Sequence, residues 1–385
     1  MVPEFRHYDL ELVEPDFGST ITDLIIDLDY LRRKELGGST HPKIFFQLKR
    51  IFHTLESIGS ARIEGNNTTI TDFIENKPES GESVDEKILE IQNIENSMSF
   101  IDKNIEDIDI KKMFTSELHK YIVKGLTPPP IGEGDKTPGI YRNYDISISN
   151  STHKPPAPFQ VDGYMDELFN FISKNHPTKY DLLKTAIAHH RFVWVHPFAN
   201  GNGRTVRLFT YAMLVKQGFN VNLGRIVNPT AIFCNDRDLY YKYLSKADTG
   251  SKNGIIEWSE YVLSGLKTEI EKIDKLLDYK YLSKNILSKA ILYSKESGQI
   301  NDIEFQILQI SINKEVFQSS DLKHLFVGKH SAEISRNIKR LRDKNLITTE
   351  KENSRKYLIS FQNKILLRGI IRALDDNGFL PILNE

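Results

Sequence analysis

The sequence predicts a mainly α protein: a helical bundle carrying one small β-hairpin, followed by a C-terminal winged-helix domain. Three observations predict it. Between about residues 20 and 276 apolar side chains recur at helical spacing in most windows. One short stretch there, ending Asp145-Ile146-Ser147-Ile148-Ser149, alternates apolar and polar instead. Beyond about Leu282 three short helical patterns are followed by two apolar segments that flank a polar turn. With 385 residues and 39% hydrophobic composition the chain can bury a substantial core, and its length suggests two or three domains. We place them at 1–105, an N-terminal helical region, 106–280, a central core, and 281–385, the winged-helix-like domain.

In chain order, Asp23 to Arg33 reads as a helix because Leu24, Ile25, Leu28 and Leu31 share a face. A longer helix begins at Pro42, its stripe of Ile44, Leu48, Ile51, Leu55 and Ile58 spaced three and four apart, and ends near Gly65. Glu64 falls in its last turn, against the negative end of the dipole. That placement costs about 0.3–1 kcal/mol unless a cation compensates it, so a positive partner is expected opposite. Asn76 to Asp85 is polar, holds Pro78 and Gly81, and reads as a loop. Helical patterns run from Glu86 to Asp102 and from Ile110 to Lys124, and Thr127-Pro128-Pro129-Pro130 stops them.

Thr137 to Ser149 fits a short strand or hairpin with Ile146 and Ile148 on one side, and Arg142 within it reads as structural. Val161 to Ser173 and Lys179 to Val195 read as helices. His189 and His190, inside the second, are expected to be satisfied core histidines because no ligand set accompanies them. Asn228-Pro229 marks a loop, Asp236 to Lys246 a helix bearing Tyr240 and Tyr241, and Ile255 to Leu276 completes the bundle. Asn301 to Ile310, Ser319 to Phe326 and Ser331 to Lys344 are the three short helices, and Leu346 to Glu350 pairs with Lys356 to Ile359 across the turn. The third helix carries Arg336, Lys339, Arg340, Arg342 and Lys344 against Glu333 and Asp343. Major-groove DNA binding and a protein-docking or dimer-forming role both stay open for it.

Composition removes several classes. A formal net charge of −1 and a sequence pI near 6.9 give no global field towards nucleic acid or membrane. The single cysteine, Cys234, excludes an internal disulfide and a Cys-based zinc site and fits a reducing compartment. The N-terminal MVPEFRHYDLELVEPDF has no apolar signal region and no run reaches transmembrane length, so a cytoplasmic protein without a membrane partner is expected.

The chemistry concentrates in Val193 to Leu214. An apolar run reaches His196, Pro197 stops it, a loop with Gly201 and Gly203 follows, and a helix then starts with Arg204 and Arg207. Glycines let backbone N–H groups approach an anion, and a helix N-terminus adds unpaired donors and a positive dipole end. Arginines three apart share a helix face, so both are expected to reach one polyphosphate. His196 on the opposite lip is the natural proton acceptor. Val206, Phe209, Met213 and Leu214 support the helix and Gly218 fits its left-handed cap.

His196-Pro197-Phe198-Ala199-Asn200-Gly201-Asn202-Gly203-Arg204-Thr205-Val206-Arg207 resembles the signature of the Fic family, HPFx(D/E)GNGRxxR, at every fixed position but one. Asn200 stands where the family usually has Asp or Glu. Ser60 to Gly65 is similar to the family's inhibitory motif, (S/T)xxxE(G/N). The resemblance covers about residues 40 to 275. It implies a Fic-type helical bundle with a β-hairpin flap that aligns a target backbone by strand addition, and transfer of AMP from ATP to a Tyr, Ser or Thr hydroxyl of a target protein. It implies His196 as general base and nucleotide contacts from Gly201, Asn202, Gly203, Arg204, Thr205, Val206 and Arg207, with Tyr240 against the adenine. A helix over about residues 43–65 would inhibit through Glu64, with Ser60 opening its motif and Arg207 as partner. In the family the acid at position 200 holds Mg²⁺, so Asn200 implies a weakly held metal, a slow enzyme, or a fold kept for binding. The target protein, self-modification and a homodimer remain open, and a nucleotide-responsive, DNA-binding regulator is the alternative.

Overall fold

The computed structural model describes residues 4–33, 39–76, 85–148, 151–219 and 229–380, and they divide into two compact units. The expected turn at Asn228, most of the loop between Asn76 and Asp85, and Ser149 lie outside the described residues. The first unit comprises the described parts of Met1–Glu35 and His53–Glu271, the second those of Leu36–Phe52 and Lys272–Pro381. A contact boundary therefore falls near residue 272, and residues 39–52 cluster with the C-terminal part rather than with an N-terminal domain.

The helices are α1 (Thr20–Arg33), α2 (Pro42–Ile63), α3 (Ile70–Asn76), α4 (Glu86–Asn104), α5 (Lys112–Val123), α6 (Val161–Ser173), α7 (Asp181–Val195), α8 (Asn202–Lys216), α9 (Pro229–Cys234), α10 (Arg237–Ala247) and α11 (Lys252–Leu277). Most lie within about four residues of where the periodicity puts them. In the first unit α7 and α8 pack against each other at the centre, with α4 and α5 against α8 and α6 against α7. Both central helices are buried on nearly every side. Their polar residues are therefore paired inside the protein: Lys184 donates to the carbonyls of Ile172 and Lys174, and His189 sits between Thr210 and Tyr240. His190 likewise meets Asp248 and Tyr8, in keeping with a core role. One apolar cluster joins Leu28, Ile187, Phe233 and Trp258, and a second joins Trp194, Phe198, Val206 and Phe209 directly under the signature loop.

The short strand or hairpin expected over Thr137 to Ser149 does not form among the described residues. Among the described residues from 137 to 148 there is no strand, and the one nearby pairing is an isolated parallel bridge between Glu4 and His153. Ile146 and Ile148 do alternate with the exposed Asp145 and Ser147. Alternation alone makes no ladder, however, because a hairpin needs a returning partner strand, and the chain goes on to Pro155-Pro156.

The second unit adds a helical run from α12 (Tyr279–Leu282) through one π-helical turn into α13 (Ser288–Glu296), then α14 (Asp302–Lys314), a 3₁₀ segment Ser319–Phe326, α15 (Ser331–Asp343) and α16 (Lys364–Asp376). The strands β1 (Phe317–Gln318), β2 (Ile347–Thr349) and β3 (Lys356–Ile359) form an antiparallel sheet in the order β1-β3-β2, with Ile347 opposite Ile359 and Phe317 opposite Tyr357. Gln47 of α2 reads the end of β3 with both halves of its amide: Nε2 donates to the Ile359 carbonyl and Oε1 accepts from Phe361 N. An Asn301–Glu304 capping box starts α14. Helices α13 and α16 cross so closely that a Cβ on Gly369 would lie 2.8 Å from the Ala290 carbonyl oxygen. The periodicity gave no warning of α3, α9, the run from Tyr279 to Glu296, β1 or α16. No helix among the described residues is long and apolar enough to cross a membrane.

Candidate active site

Helix α7 ends in an abrupt turn. His196 takes a left-handed conformation (φ 51°) as its C-cap, and Gly201 (φ 73°) opens α8. Between them the loop is clamped from within: Asn202 Oδ1 accepts from Phe198 N at 2.9 Å and Asn202 Nδ2 donates to Phe198 O at 2.8 Å. Arg142 fixes the other lip, its Nε donating to the His196 carbonyl at 2.8 Å and its Nη2 to Pro156 O, while its own N–H reaches Pro197 O. Arg142 is thus a structural residue of the site. His196 presents its ring to a cavity of about 950 Å³, which Gly201, Asn202, Gly203, Arg207, Tyr240 and Glu64 also line.

The state of His196 follows from its neighbours. Its Nδ1 lies 3.2 Å from the Val193 carbonyl oxygen, which can only accept, so Nδ1 carries the proton and Nε2 keeps its lone pair. Burial, helped by the Arg142 charge, lowers its pKa to about 4, and the imidazole is neutral at pH 7. His119 is also held down to about 4, chiefly by burial. Both folded-state values lie below the unfolded value near 6.5. The unfolded chain therefore binds more protons between those limits, and stability falls as pH drops from about 6.5 towards 4. Each such histidine steepens the fall by up to ~1.4 kcal/mol per pH unit. Urea midpoints measured across that window should drop steadily in the wild type, and less steeply once His119 is replaced by Gln; equal slopes would refute the assignment.

The cradle at the start of α8 is filled by a carboxylate of the same chain. Glu64 follows the C-terminus of α2 and turns away from its negative dipole end to meet Arg207 Nη2 at 2.7 Å. It approaches the α8 N-terminus so closely that a Cβ on Gly203 would lie 2.1 Å from Glu64 Oε1. The positive partner expected for Glu64 is therefore Arg207. Ser60 completes the contact, Oγ accepting from Arg207 Nε and the carbonyl from Nη2, both at 2.8 Å. Burial raises the Glu64 carboxyl, but Arg207 and then Arg204 outweigh it, and the net shift is downward.

Arg204 does not converge with Arg207. It is fully buried, pairs with Glu90 Oε1 at 2.7 Å, and donates to the Glu133 carbonyl at 2.8 Å and to Glu133 Oε2 at 3.3 Å. Thr205 and Val206 are also turned from the cavity: Thr205 Oγ1 donates to Gly201 O, and Val206 lies in the core. Tyr240 is buried at the cavity wall with its hydroxyl 3.0 Å from His189 Nε2.

Asn200, the departure from the family pattern, gives its amide N–H groups to Glu133 Oε2 (3.3 Å) and Gly134 O (3.1 Å). Its Oδ1 has no hydrogen-bond partner among the described residues, so one neutral oxygen is available there to a cation. His119 holds the loop from below: Nε2 donates to Asn200 O at 3.0 Å, Nδ1 accepts from Gly139 N, and the ring stacks on Phe198 at 3.8 Å. Asp135 accepts from Asn200 N. Sequence reasoning missed His119, Asp135, Glu133 and Glu90, since nothing in α4, in α5 or in the loop after Pro130 marks them locally.

Comparison with known proteins points to one family. Residues 109–214 match the Fic/DOC family. The protein adenylyltransferase Fic of Nematostella vectensis is 28% identical over 200 residues, 50% of this chain and 42% of that protein. Its Drosophila melanogaster counterpart is 28% identical over 204 residues, 51% of this chain and 37% of that one. The chain thus spans about two fifths of the length of these relatives. Among solved structures, a Fic family protein from Desulfovibrio desulfuricans G20 shares the fold with a TM-score of 0.54 at 17% identity, over 92% of this chain and 98% of that one. A Fic-domain-containing signaling protein from Bacteroides thetaiotaomicron gives a TM-score of 0.52 at 17% identity, over 67% and 98%. Residues 109–214 therefore constitute a Fic domain.

Proposed function

We propose, from the Fic domain of residues 109–214, that this chain is a protein adenylyltransferase held inactive by Glu64. The observation that carries the reading is a neutral His196 and the cationic Arg207 on one cavity, with the chain's own carboxylate where an anionic phosphate would lie. In the reaction His196 Nε2 takes the proton of a Ser, Thr or Tyr hydroxyl as its oxygen bonds to the α-phosphorus of ATP; the bond from that phosphorus to the bridging oxygen breaks, and pyrophosphate leaves. Backbone N–H groups of Gly201 to Gly203 are aimed where negative charge grows, and Arg207 takes the terminal phosphate once Glu64 withdraws. Arg204, locked between Glu90 and Glu133, fixes the loop. Mg²⁺, when bound with the nucleotide, neutralises phosphate charge, and Asn200 Oδ1 is the oxygen that the signature itself offers it. Asp145 to Ile148 line the same cavity and are the natural rail for a target backbone.

Intact mass after incubation with ATP and Mg²⁺ tests the activity. A gain of one AMP on the chain or a co-incubated target supports transfer. A Glu64→Gly chain that binds nucleotide and never yields the adduct would leave only nucleotide sensing.

For the second unit we propose the winged-helix arrangement, supported by the order of its helices and the β2–β3 hairpin, with docking to a protein as its role. Three of the basic groups in and just after α15 are already paired: Arg340 and Lys344 with the buried Glu304, and the exposed Arg336 with Glu333. Duplex DNA should consequently be retained weakly and be released by about 0.2 M salt in a mobility-shift assay. Nanomolar retention at that salt would favour the DNA-binding regulator instead.

A further inference from the structure

A Mg²⁺ ion bound with a nucleotide needs only one or two protein oxygens, because phosphates and waters complete its octahedron, but it strongly prefers a carboxylate to an amide. The signature supplies an amide at Asn200. Among the described residues no three His, Cys, Asp or Glu side chains could form a cage for a metal, so any cation here depends on the nucleotide's own oxygens. A negative charge nevertheless stands beside Asn200. Glu133, from a loop 67 residues earlier, places Oε2 3.3 Å from Asn200 Nδ2, and it lines the same cavity as His196 and Gly201.

That carboxylate is only partly engaged. Arg204 is already neutralised by Glu90 at 2.7 Å and takes the Glu133 main-chain carbonyl at 2.8 Å, whereas its contact to Glu133 Oε2 is the longer 3.3 Å. Glu133 Oε1 has no partner among the described residues, and the side chain is 46% exposed while Glu90 is 3% exposed. Of the two acids on Arg204, Glu90 is the buried counter-ion and Glu133 is the one left facing solvent in the cavity.

The loop that carries Glu133 is built to hold it there. Its two neighbours are glycines packed against backbone: a Cβ on Gly134 would meet Leu126 O at 2.2 Å, and one on Gly132 would meet Thr127 O at 2.6 Å. Gly134 N donates to Thr127 O at 2.8 Å, and the next residue, Asp135, binds the Asn200 N–H at 3.2 Å. The acidic loop and the signature loop are thus tied to each other on either side of the Glu133 carboxylate.

We infer that Glu133 supplies, in place of the residue at position 200, the carboxylate that binds the divalent cation accompanying the nucleotide. The inference rests on the adenylyl-transfer reading of the cavity. The negative charge that the family pattern carries within its signature is here delivered from a second loop, with Asn200 donating to it and orienting it.

The test is calorimetric titration of the full chain with the non-transferable analogue α,β-methylene-ATP, in Mg²⁺ and in EDTA, in a Glu64→Gly background. Mg²⁺ should tighten binding by the parent. Adding Glu133→Gln should abolish that gain while leaving affinity in EDTA unchanged, and adding Asn200→Asp to Glu133→Gln should restore it. Mn²⁺ electron paramagnetic resonance of the analogue complex should report the same loss and restoration. A Mg²⁺ gain undiminished in Glu133→Gln, or no gain in the parent, overturns the assignment of Glu133 and leaves the nucleotide site standing. A fall in affinity in EDTA as well would also overturn it, since Glu133 would then act on the loop through Arg204. Absence of all nucleotide binding by the Glu64→Gly chain removes the adenylyl-transfer reading and this inference together.

Discussion

A His196→Ala chain is expected to lose transfer of label from α-labelled ATP by about 10²–10⁴-fold, the range that removal of a positioned general base produces. The left-handed backbone at His196, the Arg142 bond to its carbonyl and the Val193 carbonyl on Nδ1 hold the ring with one lone pair facing the cavity. None of these groups binds phosphate. Affinity for α,β-methylene-ATP in a Glu64→Gly background should therefore be unchanged by the substitution, so that the loss lies in turnover. With a pKa near 4 the ring stays a base down to mildly acid pH, and the acid limb of the rate profile should lie below about pH 5. Labelling that survives in His196→Ala, or an acid limb near pH 6.5, would remove His196 from the proton transfer.

Glu64→Gly is expected to raise labelling on the order of 10- to 100-fold, the scale of a coupling free energy of a few kcal/mol. Glu64 competes with phosphate twice, through its 2.7 Å ion pair to Arg207 and by its position against Gly203 at the start of α8. Glu64→Gln retains the bulk but removes the charge and should give a smaller rise; an equal one would mean that charge alone inhibits. Glu64→Gly leaves Arg207, 1% exposed at its side chain, with only the Ser60 oxygens as hydrogen-bond partners among the described residues. Because Glu64 keeps 27% of its side chain exposed, the cost in stability should be modest, about 1–3 kcal/mol in chemical denaturation without ligand. Activity unchanged by Glu64→Gly would end the autoinhibition proposal.

Where the expected site residues are consecutive in the chain, the structure brings them together on one cavity. His196, Pro197, the glycines and Arg207 lie within a dozen residues, so one loop's dihedrals and one helix start place them. The sequence reading failed where a charge had to choose a partner. Helical spacing put Arg204 and Arg207 on one face and suggested one shared ligand, but Glu90, 114 residues away, captures Arg204. The strand or hairpin expected over Thr137 to Ser149 is likewise not formed among its described residues, 137–148, because alternation of apolar and polar side chains says nothing about whether a second strand returns to pair with them.

The sequence by itself determined the helices with strong apolar stripes, the glycine loop between α7 and α8, and the placing of His196 and Arg207 at either side of that loop. Each is fixed within a few residues by backbone preference and side-chain period. The tertiary structure alone decided that Arg204 is buried away from the cavity, that His119 and Asp135 brace Asn200, and that Glu133 brings a carboxylate beside the amide. Those contacts join residues tens to more than a hundred positions apart. Their outcome depends on which charges the packed core leaves without water, and no local pattern records that.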